Sequence, residues 1–338
     1  MAESMTSPPG PLVSVVTPVF NGELYLRDCI ESVLAQSYPH WDYTIVNNCS
    51  TDRTLEIARE YAEKDRRIRI HDNATFARVI ENHNIAFRQI SPASKYCKLL
   101  AADDMILPDC LAQMVRLAEE HPTVSMVGAY GLYSRPDMGV YCRGVPYSRS
   151  VLPGREVCRA YLLEDGMSVF GAPTLFLLRS DVVRNRQAFY NESNIHADSE
   201  ACLEVLEHHD FGFVQQVLTF VRVQDASLTS MSDGLNTHLP YSLYALTKYG
   251  PRYLAEDELK ERIHDRLRVY YGYLGWQLPK GRGREFWKFH KEKLAALGYP
   301  LSMARVAAHT IAYLGDLLLN PGRTAMKVVR GLRKRWSK

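Results

Sequence analysis

The sequence has no paired cysteines. Its seven (Cys29, Cys49, Cys97, Cys110, Cys142, Cys158 and Cys202) stand singly along 338 residues, with no C-x-x-C pair. An odd number without metal spacing or a disulfide framework predicts reduced thiols and a cytoplasmic setting. The sequence also lacks the ~18 uninterrupted apolar residues of a membrane span. The nearest stretch, Leu301 to Leu319, is broken by Arg305, His309 and Asp316, which argues against a membrane-embedded synthase. Residues 1–10 carry no basic region followed by an apolar one, so they do not read as a signal peptide. A net charge of +3 gives no whole-molecule field for nucleic acid. The eleven histidines show no H-E-x-x-H. No G-x-G-x-x-G or P-loop follows the first strand, which argues against a dinucleotide dehydrogenase or a kinase-like NTPase.

What is present is ordinary globular composition, 46% apolar and 23% charged, on a chain long enough for one large domain or two. From Leu12 the pattern alternates. Val13 to Thr17, Tyr43 to Val46, Ile68 to Ile70, Tyr96 to Leu100 and Thr123 to Tyr130 read as strands. Glu23 to Gln36, the stretch after Asp52, Phe76 to Ile90 and Leu107 to His121 have helical spacing. Strands alternating with helices of this length predict βαβ units and a mostly parallel twisted sheet. Residues 131–153, rich in Gly and Pro, read as a long loop or loose hairpin. Leu175 to Leu178 and Phe211 to Val223 are further strands around a helix from about Asp198 to His208. Beyond Asn236 only helical spacing remains. The expected organisation is a disordered 1–11, an α/β domain over 12–235, a helical extension over 236–320 and a tail over 321–338.

Three segments follow strands directly and so fall at the sheet edge where such folds bind ligands: Thr17-Pro-Val-Phe-Asn21, Asn47-Asn-Cys-Ser-Thr-Asp52 and Ala101-Ala-Asp-Asp104. Pro18 removes a backbone donor and is expected to bend the chain out of its strand. Ser50 and Asp52 also read as helix-start residues, and the Asp103–Asp104 pair as a turn. In this order the segments resemble the nucleotide-sugar site of family 2 glycosyltransferases, whose GT-A fold is the Rossmann-like sheet expected here. The resemblance covers about residues 12–225. It implies donor contacts from Thr17, Pro18, Phe20, Asn21, Asn47, Asn48, Asp52, Asp103 and Arg222. It also implies a divalent cation, Mg²⁺ or Mn²⁺, held by Asp103 and Asp104 against the diphosphate. The family usually carries Asp-Asp-Gly-Ser-Thr-Asp where this chain has Asn47-Asn-Cys-Ser-Thr-Asp52. An amide can still read a pyrimidine edge, so a UDP-sugar is the first expectation without being required. Ala101 replaces an acid of the family's Leu-Asp-Ala-Asp-Asp.

Further along, His196-Ala-Asp-Ser-Glu200 falls where the resemblance calls for the base that deprotonates the acceptor hydroxyl. Asp198 matches that position, with Glu200 as the alternative; on a helix the two point to different sides. A plain acidic helix start is the other reading. Phe170-Gly-Ala-Pro-Thr174 resembles the family's acceptor loop, with Gly171, Ala172, Pro173 and Thr174 closing over the sugar. Arg222, in Phe220-Val-Arg-Val-Gln-Asp225, would contact the diphosphate, and Gln224 stands where the family places a metal-binding His.

The tail from Pro321 to Lys338 has seven basic residues and no acid, with Val328, Val329, Leu332 and Trp336 near one helical face. It suits an anionic membrane surface as well as a solvated tail, and it allows a peripheral location at the inner face of a membrane. The reading is therefore an inverting sugar transferase acting on a carbohydrate, lipid-linked or other hydroxyl acceptor. The alternatives are a non-catalytic sugar-nucleotide or glycan binder on the same scaffold, and an interaction scaffold built on the helical extension.

Overall fold

A computed structural model describes residues 10–134, 139–164, 166–223 and 234–319. The chain divides into two compact units, Met1–Leu228 and Thr229–Lys338. In the first, β1 (Val13–Val19), α1 (Leu26–Leu34), β2 (Trp41–Asn47), α2 (Thr54–Lys64), β3 (Ile68–Asp72), α3 (Val79–Phe87) and β4 (Tyr96–Leu99) give the expected alternation. Then come β5 (Met105–Ile106), α4 (Cys110–Glu120), β6 (Val124–Ser134), β7 (Gly139–Tyr141), β8 (Val151–Leu152) and α5 (Gly154–Leu163). The unit continues with β9 (Phe176–Arg179), α6 (Ser180–Arg184), α7 (Ala197–Val205) and β10 (Asp210–Arg222). In α1 the spacing of Leu26, Cys29, Ile30 and Val33 is the helical period, and those four side chains are the buried ones.

The strands form one sheet in the order β3-β2-β1-β4-β9-β6-β10-β5, with β7 added on β6 and β8 on β10. The first four strands are parallel, as the alternation predicts. The sheet as a whole is mixed, because β9 runs antiparallel to both β4 and β6. Its direction has a local cause. A 3₁₀ turn at Pro173–Leu175 is tied to the carboxyl end of β4, where the Ala101 N–H donates to Thr174 Oγ1 (3.1 Å), so the strand that follows must run back. That return delivers residues 171–175 to the same edge as the three strand-end segments. The stretch 131–153, expected as a long loop or loose hairpin, contributes the end of β6, the short hairpin strand β7, and β8.

The strand does not end at Pro18. It continues to Val19 with Pro18 in register opposite Val46. Val13 donates to His40 O and Val19 accepts from Asn48 N, so odd-numbered residues face β2; Val16 accepts from Leu100 N, so even-numbered ones face β4. The missing donor of Pro18 thus falls on β4's side, beyond the last β4 bond at Leu100, where no ladder bond is lost. The core packs β1, β2 and β4 against α1, α2 and α4 through residues such as Val15, Ile45, Ile30, Leu100 and Met114.

The second unit is helical: α8 (His238–Tyr253), α9 (Glu256–Gln277), α10 (Arg284–Ala296) and α11 (Met303–Leu319). Its core gathers Leu243, Tyr270, Leu274, Phe286, Leu294 and Val306. No helix among the described residues is long and apolar enough to cross a membrane. Gln224 and the tail 321–338 lie outside the described residues.

Candidate active site

The loops after β1 and β2 are laced to each other. Asn21 N–H donates to Ser50 Oγ (3.0 Å), and its own Oδ1 accepts from Thr51 N–H (2.8 Å). Asp52 accepts from Glu23 N–H on one oxygen and Thr54 N–H on the other, both at 3.0 Å. Burial pushes this carboxyl up, but the Thr54 hydroxyl and the Glu23 and Thr54 N–H groups outweigh it and hold it below the usual range. Two residues take left-handed backbone to make these turns, Asn21 (φ 49°) and Cys49 (φ 58°). Asn tolerates that conformation, whereas Cys49 stands where the family pattern has Gly. Its thiol donates to Asn73 O (3.3 Å). At the rim, Phe20 and Phe76 meet edge to face (5.0 Å between centroids), both exposed.

Asn47 and Asn48 do not face an open pocket, contrary to the base-reading role expected of them. Both are buried. Asn47 Nδ2 donates to Asp72 Oδ1 (2.7 Å) and its Oδ1 accepts from Ser50 N–H. Asn48 brackets Ala77, donating to its carbonyl (2.8 Å) and accepting from its N–H (2.9 Å), while its Oδ1 also takes a bond from Asn73 Nδ2. These amides hold the loop after β3 against the sheet edge. Thr17 is likewise a core residue, its hydroxyl accepting from Tyr43 OH (2.8 Å).

On the other side of β1 the site is built from carboxylates. Asp104 is buried, and both its oxygens are taken: Oδ2 accepts from Thr174 Oγ1 (2.6 Å) and Oδ1 from Arg222 N–H (2.9 Å). Burial and the charge of Asp103 push its carboxyl up to about 7. It is therefore a bracket joining β4, the 171–175 turn and the end of β10, rather than the open metal ligand expected. Asp103 keeps part of its surface exposed. Arg222 is also spent within the protein: Nε donates to Asp103 O (2.9 Å), Nη2 pairs with Asp28 (2.7 Å), and the guanidinium lies over the Tyr25 ring (4.4 Å). It braces the Asp103 loop instead of reaching out bidentately.

Lys98 completes the bracket. It is fully buried on β4 and donates to Thr174 O (2.6 Å) and Phe176 O (3.2 Å), and burial drives its ammonium below the usual lysine range. A methyl at Gly171 would stand 2.7 Å from Leu175 Cδ1, so that side chain would have to shift to admit one.

Asp198, in the first turn of α7, is walled by Phe87, Pro173, Phe176, Tyr190 and Cys202. Burial pushes its carboxyl up to about 6, while Ser199 N–H donates to Oδ1 (2.7 Å) and partly opposes the rise. Glu200 is different. Its Oε2 accepts from Asn191 Nδ2 (3.0 Å) and Asn194 Nδ2 (2.6 Å), so it anchors the loop before α7 and is not an alternative base. Pro173 lines the Asp198 cavity and Thr174 bonds Asp104, so one turn joins the two acids.

Asp103, Asp104, Thr174 and Arg222 are thus linked by direct bonds, and Asp198 through Pro173. Among the described residues no group of three or more His, Cys, Asp or Glu converges as a metal site. The part-exposed Asp103 still fits a cation that a nucleoside diphosphate largely ligates itself, since Mg²⁺ is commonly held by one or two carboxylates plus substrate phosphates. Asp28, Asp72, Asn73, Asn84 and Lys98 escaped sequence reasoning. For Asp72 and Asn73 a signal existed, because they stand at the carboxyl end of β3. Asn84 gave none: it holds Tyr190, 106 positions away, by donating to its carbonyl (2.8 Å) and accepting from its N–H (2.8 Å).

Comparison with known proteins agrees with this geometry. Residues 14–139 match the family described as "Glycosyl transferase family 2". A putative teichuronic acid biosynthesis glycosyltransferase, TuaG of Bacillus subtilis, is 34% identical over 127 residues, 37% of this chain and 49% of that one, so the match spans about half the relative's length. In structure, S. aureus TarS 1-349 in complex with UDP-GlcNAc superposes with a TM-score of 0.62 at 16% identity, over 91% of this chain and 86% of that one. The mannosyltransferase PcManGT from Pyrobaculum calidifontis, in complex with GDP-Man and Mn²⁺, gives 0.55 at 16%, over 98% and 90%. At that identity the structures speak for the fold, which is the GT-A arrangement of a mixed sheet with flanking helices. The sheet order, the strand-end loops and the matched segment agree: residues 14–139 are similar to glycosyl transferase family 2, and the fold is that of GT-A glycosyltransferases.

Proposed function

We propose that the first unit transfers a sugar from a nucleotide-sugar donor to a hydroxyl of a carbohydrate or lipid-linked acceptor, with inversion at the anomeric carbon. The observation that carries this is Asp198. It is a carboxyl raised to about 6 in an apolar wall, one residue of turn away from the Asp103–Asp104 loop. A carboxylate of that basicity is ionised at neutral pH, yet takes a proton more readily than an exposed one. Asp198 accepts the acceptor's hydroxyl proton as that oxygen bonds to the anomeric carbon and the bond to the diphosphate breaks. Asp103 faces the diphosphate. A divalent cation bound there would supply positive charge to the departing phosphates. Asp104, Lys98 and Arg222 keep the Asp103 loop and the 171–175 turn rigid, so the sugar is held between two fixed walls.

Similarity to structures that hold UDP-GlcNAc and GDP-Man supports a nucleotide-sugar donor and leaves both uridine and guanosine in play. The internal use of Asn47 and Asn48 favours neither base. The test is release of nucleoside diphosphate from a panel of UDP- and GDP-sugars with Mg²⁺ or Mn²⁺. Slow metal-stimulated release by the intact chain, lost in Asp103→Ala, is the expected result. Tight donor binding without release under any metal would overturn catalysis and leave the non-catalytic binder.

A further inference from the structure

Helix α11 packs closely on α9 within the second unit. A methyl at Gly275 of α9 would stand 2.8 Å from His309 Cβ and 2.9 Å from the Thr310 nitrogen, so the two helices touch backbone to backbone there. Thr310 Oγ1 donates to Gly275 O (3.1 Å), and Val306 is the other buried residue of α11. With successive residues about 100° apart, Arg305, His309 and Asp316 fall in one sector beside that contact. The half of the circumference on the other side carries Met303, Ala307, Ile311, Leu314, Leu318 and Leu319 and no polar side chain. It is open: Ile311 is 71% exposed, and Leu318 and Leu319 82% each. A helix on a soluble surface normally buries its apolar stripe and shows polar residues to water; α11 does the reverse over half its surface.

Charge is divided unequally between the units. Met1–Leu228 has 21 Lys and Arg against 29 Asp and Glu, a net of −8, whereas Thr229–Lys338 has 20 against nine, a net of +11. Seven of those cations, and no acid, fall in residues 321–338, directly after α11.

From the exposed apolar half of α11 and the cationic sequence that continues it, we infer that this part of the second unit binds the surface of an anionic phospholipid bilayer. Over its described residues α11 carries Arg305, His309 and Asp316, is not apolar enough to span and suits the plane of the interface. The cations then meet anionic headgroups. Nucleic acid would use the charge but has no use for the apolar half. A second copy would cover the apolar half but bring seven further cations beside the first seven. Nothing in this surface depends on the donor chemistry of the first unit.

The intact chain is sedimented with vesicles of phosphatidylcholine alone and of phosphatidylcholine with about one third phosphatidylglycerol. Pelleting with the anionic vesicles alone, weakened by raised salt, is expected. The double substitution Ile311→Asp/Leu318→Asp lies at exposed positions and is expected to leave the circular dichroism and melting curve unchanged. It is expected to weaken binding at least about tenfold, as is replacement of Arg333, Lys334 and Arg335 by Gln. Three results would overturn the inference: no anionic pelleting; pelleting that ignores the α11 substitutions; or a dimer in solution that the same substitutions split while vesicle binding is absent.

Discussion

Burial disfavours the charged form of titratable groups in both units, with opposite chemical consequences. In the first, desolvation lifts Asp198 to about 6 and Asp104 to about 7. In the second, it lowers His290 to about 4, where its Nδ1 meets the Tyr270 hydroxyl (2.7 Å) among Phe286 and Tyr273. A carboxylic acid raised to about 6 remains able to exchange a proton near neutrality. An imidazole lowered to about 4 stays neutral there and serves as a packed hydrogen-bonding ring. The same penalty on the charged form builds a base in one unit and inert core in the other. The sign therefore depends on which form of the group carries charge.

The strongest way to break this contrast is Asp198→Asn. Transfer is expected to fall by roughly 10²–10⁴-fold with the fold intact, and the wild-type kcat/KM should rise with pH through about 6 and level off above it. A flat profile between pH 5 and 8 would remove Asp198 from the role. The stability counterpart has opposite signs. Raised Asp198 contributes stability present below its unfolded value near 4 and lost as pH climbs through about 6. Lowered His290 contributes stability present above about 6.5 and lost as pH falls through about 4.

Thr174→Val is next. It strips a buried hydroxyl from Asp104 and from Ala101 N–H, with an expected cost of about 1–3 kcal/mol in urea melts and a larger loss of turnover than of donor affinity. An unchanged melt would mean that the bracket does not hold the turn. In the second unit, Gly275→Ala forces a methyl against the α11 backbone and should cost about 1–3 kcal/mol while sparing donor binding. The smallest effect is a gain: Cys49→Gly relieves left-handed backbone, offset in part by the lost bond to Asn73 O, for about 1 kcal/mol or less of added stability. A loss there would show that the thiol contact outweighs the backbone strain.

Much of the fold was legible because it is local. The period of Leu26, Cys29, Ile30 and Val33 marks α1, and similar spacing marks α8 to α11. Helix α5 went unread because it begins at Gly154 after a Pro- and Gly-rich stretch whose composition masks its start. The order of the strand-end segments also pointed to the right sheet edge, since each follows a short apolar run of a strand buried on both faces. The roles within those segments were harder to read. Asp103 and Asp104 are adjacent and chemically identical, yet one keeps part of its surface exposed and the other is buried under Thr174 and Arg222, 70 and 118 positions away. Glu200 and Asp198 differ for the same reason.

By itself, then, the sequence determined the alternation of elements, the order of the loops at the site edge, the cationic stretch after α11 and the family resemblance of residues 14–139. Only the tertiary structure decided which of its polar groups are available. Asn47, Asn48, Asp104, Arg222 and Glu200 are each spent on partners brought from elsewhere in the chain. Hydrogen-bonding capacity is finite, and once filled by distant neighbours it is no longer open to a ligand.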